Sequence, residues 1–285
     1  MTLHITNGDC AAEIIRQAVK GEVLPWRDVL HEGPVRGGPS LEALSRERAA
    51  FIADCGWGEP YALAQDFQKR DAALGGSHEE VVLWFEHDLY DQLQLIQLLD
   101  WFSAHPHPNL SLVCEAEYLG TITPARAAEL FAARSRVSAE QLGEGKAAWA
   151  AFTASDPLRL EQVPCSHLRF LGAALRRHLE EFPWVGDGLS RTERAVLVAL
   201  RSHPMALDEI FARVEEEPRF LGNAVLAWHL QRMPREGLVA REGERWAAVA
   251  RPERSRLPRW LGGALVTGES PWRWDPARGA IRAVR

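Results

Sequence analysis

Four short apolar segments punctuate the first 115 residues: TLHIT (2–6), EVLPW (22–26), VVLWF (81–85) and LSLVC (110–114). Each is apolar nearly throughout rather than alternating, and each ends in polar residues. Between them the apolar positions recur every three or four residues. AAEIIRQAV follows the first segment, and residues 40–75 lie between the second and third. LYDQLQLIQLLDWFSA follows the third, with Leu89, Leu93, Ile96 and Leu99 along one helical face. Strands that are apolar throughout and alternate with helices predict an α/β fold with a parallel sheet covered on both faces. Residues 1–120 are therefore expected to form an open, mostly parallel sheet with flanking helices, a Rossmann-like domain.

Three further helical stretches, PARAAELFAARSRV, SAEQLGEGKAAWAAFTAS and SHLRFLGAALRRHLEEF, fill most of residues 121–182 and are expected to pack on that domain. FPWVGDG (182–188) has the composition of a linker. Residues 183–285 then show three helical patterns and a hairpin, the order of a winged helix, followed by short strands around turns. The first of those helices starts with a capping-box pattern, Ser190 and Glu193.

An open parallel sheet binds ligands beyond the carboxyl ends of its strands, where loops and helix N-termini converge. The residues after each predicted strand are thus the candidates. They are Asn7, Gly8 and Asp9; then Arg27, Asp28, His31 and Glu32; then Glu86, His87, Asp88 and Asp91; then Glu115 and Glu117. Asn7-Gly8-Asp9 reads either as a turn with a helix cap or as a close backbone approach for a ligand. Arg27 supplies a planar fork for phosphate or carboxylate, or pairs with a neighbouring acid. Capping explains Asp88 but not Glu86 or His87. A carboxylate beside a histidine suits general acid/base chemistry. Glu86, His87 and Asp9 are the catalytic candidates, and Asn7, Gly8, Arg27, His31 and Asp88 the ligand-binding ones. The same carboxylate and histidine could instead bind a hard divalent cation with Asp9, but there is no H-E-x-x-H and no regular histidine spacing, so no metal set is expected. G-x-G-x-x-G, P-loop and G-x-S-x-G motifs are also missing, and no cofactor is indicated.

Charge sharpens this picture. Residues 1–150 carry 12 Lys+Arg against 22 Asp+Glu, and residues 151–285 carry 21 against 17. An acidic first half is a poor nucleic-acid surface, since phosphate contacts need basic residues. The second half permits a DNA-binding alternative. Its third helix would offer Arg219, Asn223, His229, Gln231 and Arg232, with Trp228 and Leu230 in the core. Against it, Asp208, Glu209, Glu215, Glu216 and Glu217 on the second helix would repel phosphate. A protein-protein adaptor is the remaining alternative. The four cysteines are scattered without a C-x-x-C pair, as expected for reduced thiols in a cytoplasmic protein. Cys10, at a helix start, is the one with access to covalent chemistry. No apolar run is long enough for a membrane span. The expected partner is a small polar or anionic ligand, with a phosphorylated compound among the choices.

LHITNGD, EVLPWRDVLHEGP, LWFEHDLYDQLQLIQLL and GLSRTER resemble segments of the bacterial DUF1835-containing proteins, and the C-terminal part resembles their companion domain. The resemblance spans most of the chain and implies the same domain layout. That family's name denotes a domain of unknown function, so it implies no reaction, cofactor or catalytic role.

Overall fold

The computed structural model describes residues 1–214, 222–249 and 257–284. The sheet region runs β1 (Leu3–Thr6), α1 (Gly8–Ala18), β2 (Glu22–Pro25), α2 (Leu41–Asp54), α3 (Pro60–Leu74), β3 (Val81–Glu86), α4 (Leu89–Ala104), β4 (Leu110–Glu115), α5 (Pro124–Ala132) and β5 (Ser135–Arg136). Then come α6 (Ala139–Phe152), a 3₁₀ segment (Pro157–Gln162) and α7 (Leu171–Leu179). α8 (Arg191–Ala199), α9 (Leu207–Arg213) and α10 (Asn223–Arg232) precede the β6–β7 hairpin (Val239–Glu242, Arg245–Ala248). Two more hairpins follow: β8–β9 (Arg259–Leu261, Ala264–Val266) and β10–β11 (Trp272–Asp275, Ala280–Ala283). Among the described residues no helix is long and apolar enough to cross a membrane.

The main sheet has the order β2-β1-β3-β4-β5. Its first four strands are parallel, with Leu3 opposite Val81 and Glu86 opposite Glu115; β5 runs antiparallel to β4. Alternate residues of each strand enter different cores. Leu3, Ile5, Leu83 and Phe85 pack with α4, α6 and α7, whereas Val82, Trp84 and Val113 pack with Ala11, Ile15 and Leu130 of α1 and α5. Both faces are covered, which is why the strands read as unbroken apolar runs. The chain passes from β1 to β2 on one side and returns to β3 on the other. That reversal makes the carboxyl ends of β1 and β3 the topological switch point, where open α/β sheets form their crevice.

The second half departs from the expected layout in three ways. FPWVGDG is not a free linker. Trp184 bridges to Trp274, Val185 N–H donates to Trp274 O, and Trp274 N–H donates to Pro183 O, so the segment is tied to β10. α8, α9, α10 and β6–β7 enclose a core of their own around Val196, Leu226 and Leu230. The final strands do not extend that core: Leu261, Ala264, Val266, Trp274 and Ile281 join the sheet-region core. α7 begins at Leu171, later than expected, because the N–H groups of Ser166, His167 and Leu168 all donate to the buried Glu144 carboxylate and fix a turn there.

Side chains assigned to a DNA-facing helix turn out otherwise. His229 is buried with Nε2 2.9 Å from Glu32 Oε1. Trp228 is half-buried against Phe51 and Trp57 rather than in the core, while Leu230 is a core residue as expected. Arg232 lies over Trp228 and donates to Pro258 O. Asn223 and Gln231 are exposed; Glu215, Glu216, Glu217 and Arg219 lie outside the described residues.

Glu32 is the meeting point of the two cores. Besides His229 it accepts from Arg259 Nη2 at 2.6 Å, and Arg259 reaches on to Glu181 at 3.2 Å. Glu181 in turn accepts from Arg177 and from Thr192 Oγ1 on α8, both at 2.6 Å. All five partners are buried. Removing one member of such a network strands the others in a medium that solvates them poorly. Glu32→Ala is therefore expected to lower unfolding stability by about 3–5 kcal/mol, measured by urea denaturation. A loss below about 1 kcal/mol, the range of exposed ion pairs, would show that Glu32 does not hold the halves together.

Candidate functional site

The end of β3 and the start of α4 form one compact polar motif. Asp88 is the N-cap of α4, and its Oδ1 accepts from Asp91 N–H at 3.0 Å. Asp91 then folds back: Oδ1 accepts from Glu86 N–H at 2.8 Å and Oδ2 from Asn7 Nδ2 at 2.5 Å. Asn7 occupies the N-cap position of α1 without capping it, because its side chain is turned to Asp91. Gly8 next to it has φ +67°, a left-handed conformation that glycine adopts without strain. Glu86 Oε1 accepts from Leu119 N–H at 2.6 Å, in the loop leading to α5. One carboxylate oxygen from each of Glu86, Asp88 and Asp91 lies within 4.8 Å of the other two.

Three acids this close, with little water, disfavour full ionisation. Burial first, and then the charge of Asp91, push the Glu86 carboxyl up to about 8. Burial raises Asp91 to about 6, against the hydrogen bonds from Glu86 N–H and Asn7. Asp88 is held well above the usual carboxylate range by burial and by Asp91. No basic side chain pairs with any of the three among the described residues; the charges acting on them are one another's.

The neighbouring helix face is polar and buried as well. Gln92 Nε2 donates to Glu86 O at 2.6 Å, and Gln94 Nε2 donates to Asp28 O at 2.8 Å and Asn7 Oδ1 at 3.3 Å. Gln97 accepts from Trp26 Nε1 at 2.9 Å. These links tie α4 to the segment after β2. Arg48, fully buried, fixes that segment by donating to Asp28 Oδ1 at 2.9 Å and to the carbonyls of Val29, Glu32 and Pro34.

The structure brings some of the candidate residues together and separates others. Asn7, Glu86 and Asp88 converge with Asp91. His31 is buried with its ring 5.2 Å from that of Tyr90, in the first turn of α4; burial pushes it down to about 3, so it is neutral. His87 is half-buried between Tyr118 and Phe170, at ring distances of 5.1 and 5.9 Å. Asp9 and Arg27 satisfy one another on the surface, at 2.6–3.1 Å, with Asp66 3.7 Å away. The guanidinium of Arg27 holds Asp9 below the usual carboxylate range. Cys10 is exposed on the first turn of α1.

Gln92 and Gln94 are absent from the sequence candidates, and Asp91, named at the strand end, carries no assigned role there. The available signal was a polar residue at nearly every second position of DQLQLIQLL, inside a helix whose apolar residues already covered one face. Such a helix is either half-exposed or polar on the inside, and α4 is the latter. The histidine pattern pointed to no metal set, yet Glu86, Asp88 and Asp91 are a group able to hold one.

A carboxyl whose folded pKa is raised contributes stability that is complete below its unfolded value, near 4.5 for Glu86, and is lost as pH rises toward 8. Glu86→Gln keeps the acceptor for Leu119 N–H and removes that loss. Its melting temperature should rise relative to wild type by a few degrees at pH 8.5 and change little at pH 5. A difference independent of pH would show that Glu86 does not carry the raised value.

No family model matches this chain, and no curated protein does.

Proposed function

We propose that the protein binds a small polar ligand at the carboxyl ends of β1 and β3, in the centre formed by Asn7, Glu86, Asp88 and Asp91. One observation carries this reading. The topological switch point of the sheet coincides with three clustered carboxyl groups that lack any basic partner among the described residues. A purely structural role would be served better by apolar residues, since uncompensated buried charge opposes folding. Glu86 is the group of this centre suited to acid/base chemistry, while the exposed Arg27–Asp9 pair and His87, packed between Tyr118 and Phe170, are engaged elsewhere.

The order α8–α10 then β6–β7 is that of a winged helix, which we read as a packing module rather than a DNA reader. His229 and Arg232 are engaged with the sheet region or the segment leading to β8, and so are not available to bases. Kinship with DUF1835-containing proteins remains a proposal resting on the WRDVLHEGP and FEHDLYDQ segments.

Thermal shifts with nucleotides and sugar phosphates test the ligand reading. A compound at 100 times its Kd stabilises the native state by about 2.7 kcal/mol. At least one compound should raise the melting temperature of wild type and leave an Asn7→Ala, Asp91→Asn double variant unmoved. Equal shifts in both proteins, or none in either, would remove this site from consideration.

A further inference from the structure

The centre at the end of β3 is one-sided in its chemistry. Glu86, Asp88 and Asp91 contribute acceptors, and the side-chain donor they receive among the described residues is the amide of Asn7. Gln92 adds an independent sign of the same imbalance. It is fully buried, and its Nε2 donates to Glu86 O at 2.6 Å, which holds the carboxamide beside this strand end. Its other end, Oε1, has no partner among the described residues. Gln94 repeats the pattern: it is fully buried, Nε2 is bonded to Asn7, and Oε1 has no partner. A buried acceptor without a donor costs about 1–3 kcal/mol. Two such acceptors beside three clustered carboxyls mark a centre short of positive charge.

We propose that Glu86, Asp88 and Asp91 hold a divalent cation, with the carboxamide oxygen of Gln92 as a further acceptor. This deepens the ligand-site reading and rests on it: the cation supplies the positive charge that a phosphorylated or carboxylate ligand needs at an otherwise acidic strand end. Oxygen donors alone select hard ions such as Mg²⁺, Mn²⁺ or Ca²⁺ over thiolate-seeking ones. Mg²⁺ demands near-ideal octahedral geometry and gives up its waters reluctantly, whereas Ca²⁺ accepts irregular oxygen sets, so a cluster of three carboxyls on one strand end favours the larger ions.

Calorimetric titration of the chelator-stripped full chain with CaCl₂, MnCl₂ and MgCl₂ at pH 7.5 tests the proposal. Wild type should bind one ion per chain saturably, with Ca²⁺ or Mn²⁺ ahead of Mg²⁺. Glu86→Gln should weaken binding at least tenfold, and Gln92→Met should weaken it less. Glu129→Gln, an exposed acid on α5, should bind as wild type does. Both amide and Met variants keep side-chain volume, and far-ultraviolet circular dichroism checks that they fold. Should either be misfolded, manganese electron paramagnetic resonance on wild type decides alone, through the presence or absence of a single bound-ion population. No saturable ion in wild type, or equal affinity in a folded Glu86→Gln, overturns the cation site. Ion binding with no compound shifting the melting temperature leaves the cation site standing and removes the ligand reading. A compound shift in a wild type that binds no saturable ion does the reverse.

Discussion

The contact between Glu32 and Arg259 joins residues 227 positions apart, and much of the architecture hangs on it. Glu32 belongs to the segment after β2, Arg259 opens the final hairpins, and His229 on the same carboxylate comes from the separate helical core. The partners are buried and balance one another, so each charge is compensated where it stands. Burial alone would raise the Glu32 carboxyl, but the Arg259 charge first, then the charge and hydrogen bond of His229, hold it at about 2. Such a network contributes little net energy relative to apolar packing, but it penalises any arrangement that separates its members.

The strand-end acids obey the opposite logic within the same chain. Glu32 and Glu181 are buried and matched by Arg259 and Arg177, and their carboxyls are lowered. Asp88 and Asp91 are as enclosed and Glu86 half-buried beside them; among the described residues they are matched by nothing basic, and all three are raised. Arg48 separates the two regimes. It donates four hydrogen bonds, one to Asp28 and three to carbonyls of the segment after β2. That segment thereby becomes a rigid wall, with His31 and Asp28 toward α4 and Glu32 toward the C-terminal elements.

Much of the sheet was legible in the sequence. The four parallel strands fall within a residue of their expected limits at each end, because strands buried on both faces need unbroken apolar runs. β5 was not legible: two exposed residues carry no pattern, and their pairing with β4 is decided by the turn after α5. Glu86 and Asp88 were found because strand order makes the carboxyl edge special. Asp91 stands among the strand-end candidates but without a role, since an acid in a first helical turn is equally at home in solvent. Its burial comes from Asn7 and from the packing of α6 and α7 around α4, none of it local in sequence. The final strands were misplaced for the same reason. Their short hairpin patterns say nothing about which core they enter, and Trp274 and Ile281 choose the sheet region through contacts with residues far upstream.

The helical core between Leu189 and Trp246 is, topologically, an insertion: the chain leaves the sheet region near Trp184 and returns to it at Arg259. This has a consequence for biosynthesis. A ribosome delivers residues in order, and N-terminal units generally fold first. Here the earliest unit to be made cannot close its own core until Leu261, Trp274 and Ile281 have emerged. The inserted helices, complete by β7, are free to fold while the older part of the chain still waits. Nascent chains of this protein should therefore expose the apolar seat of the last hairpins throughout most of translation, the interval in which a chaperone has something to hold.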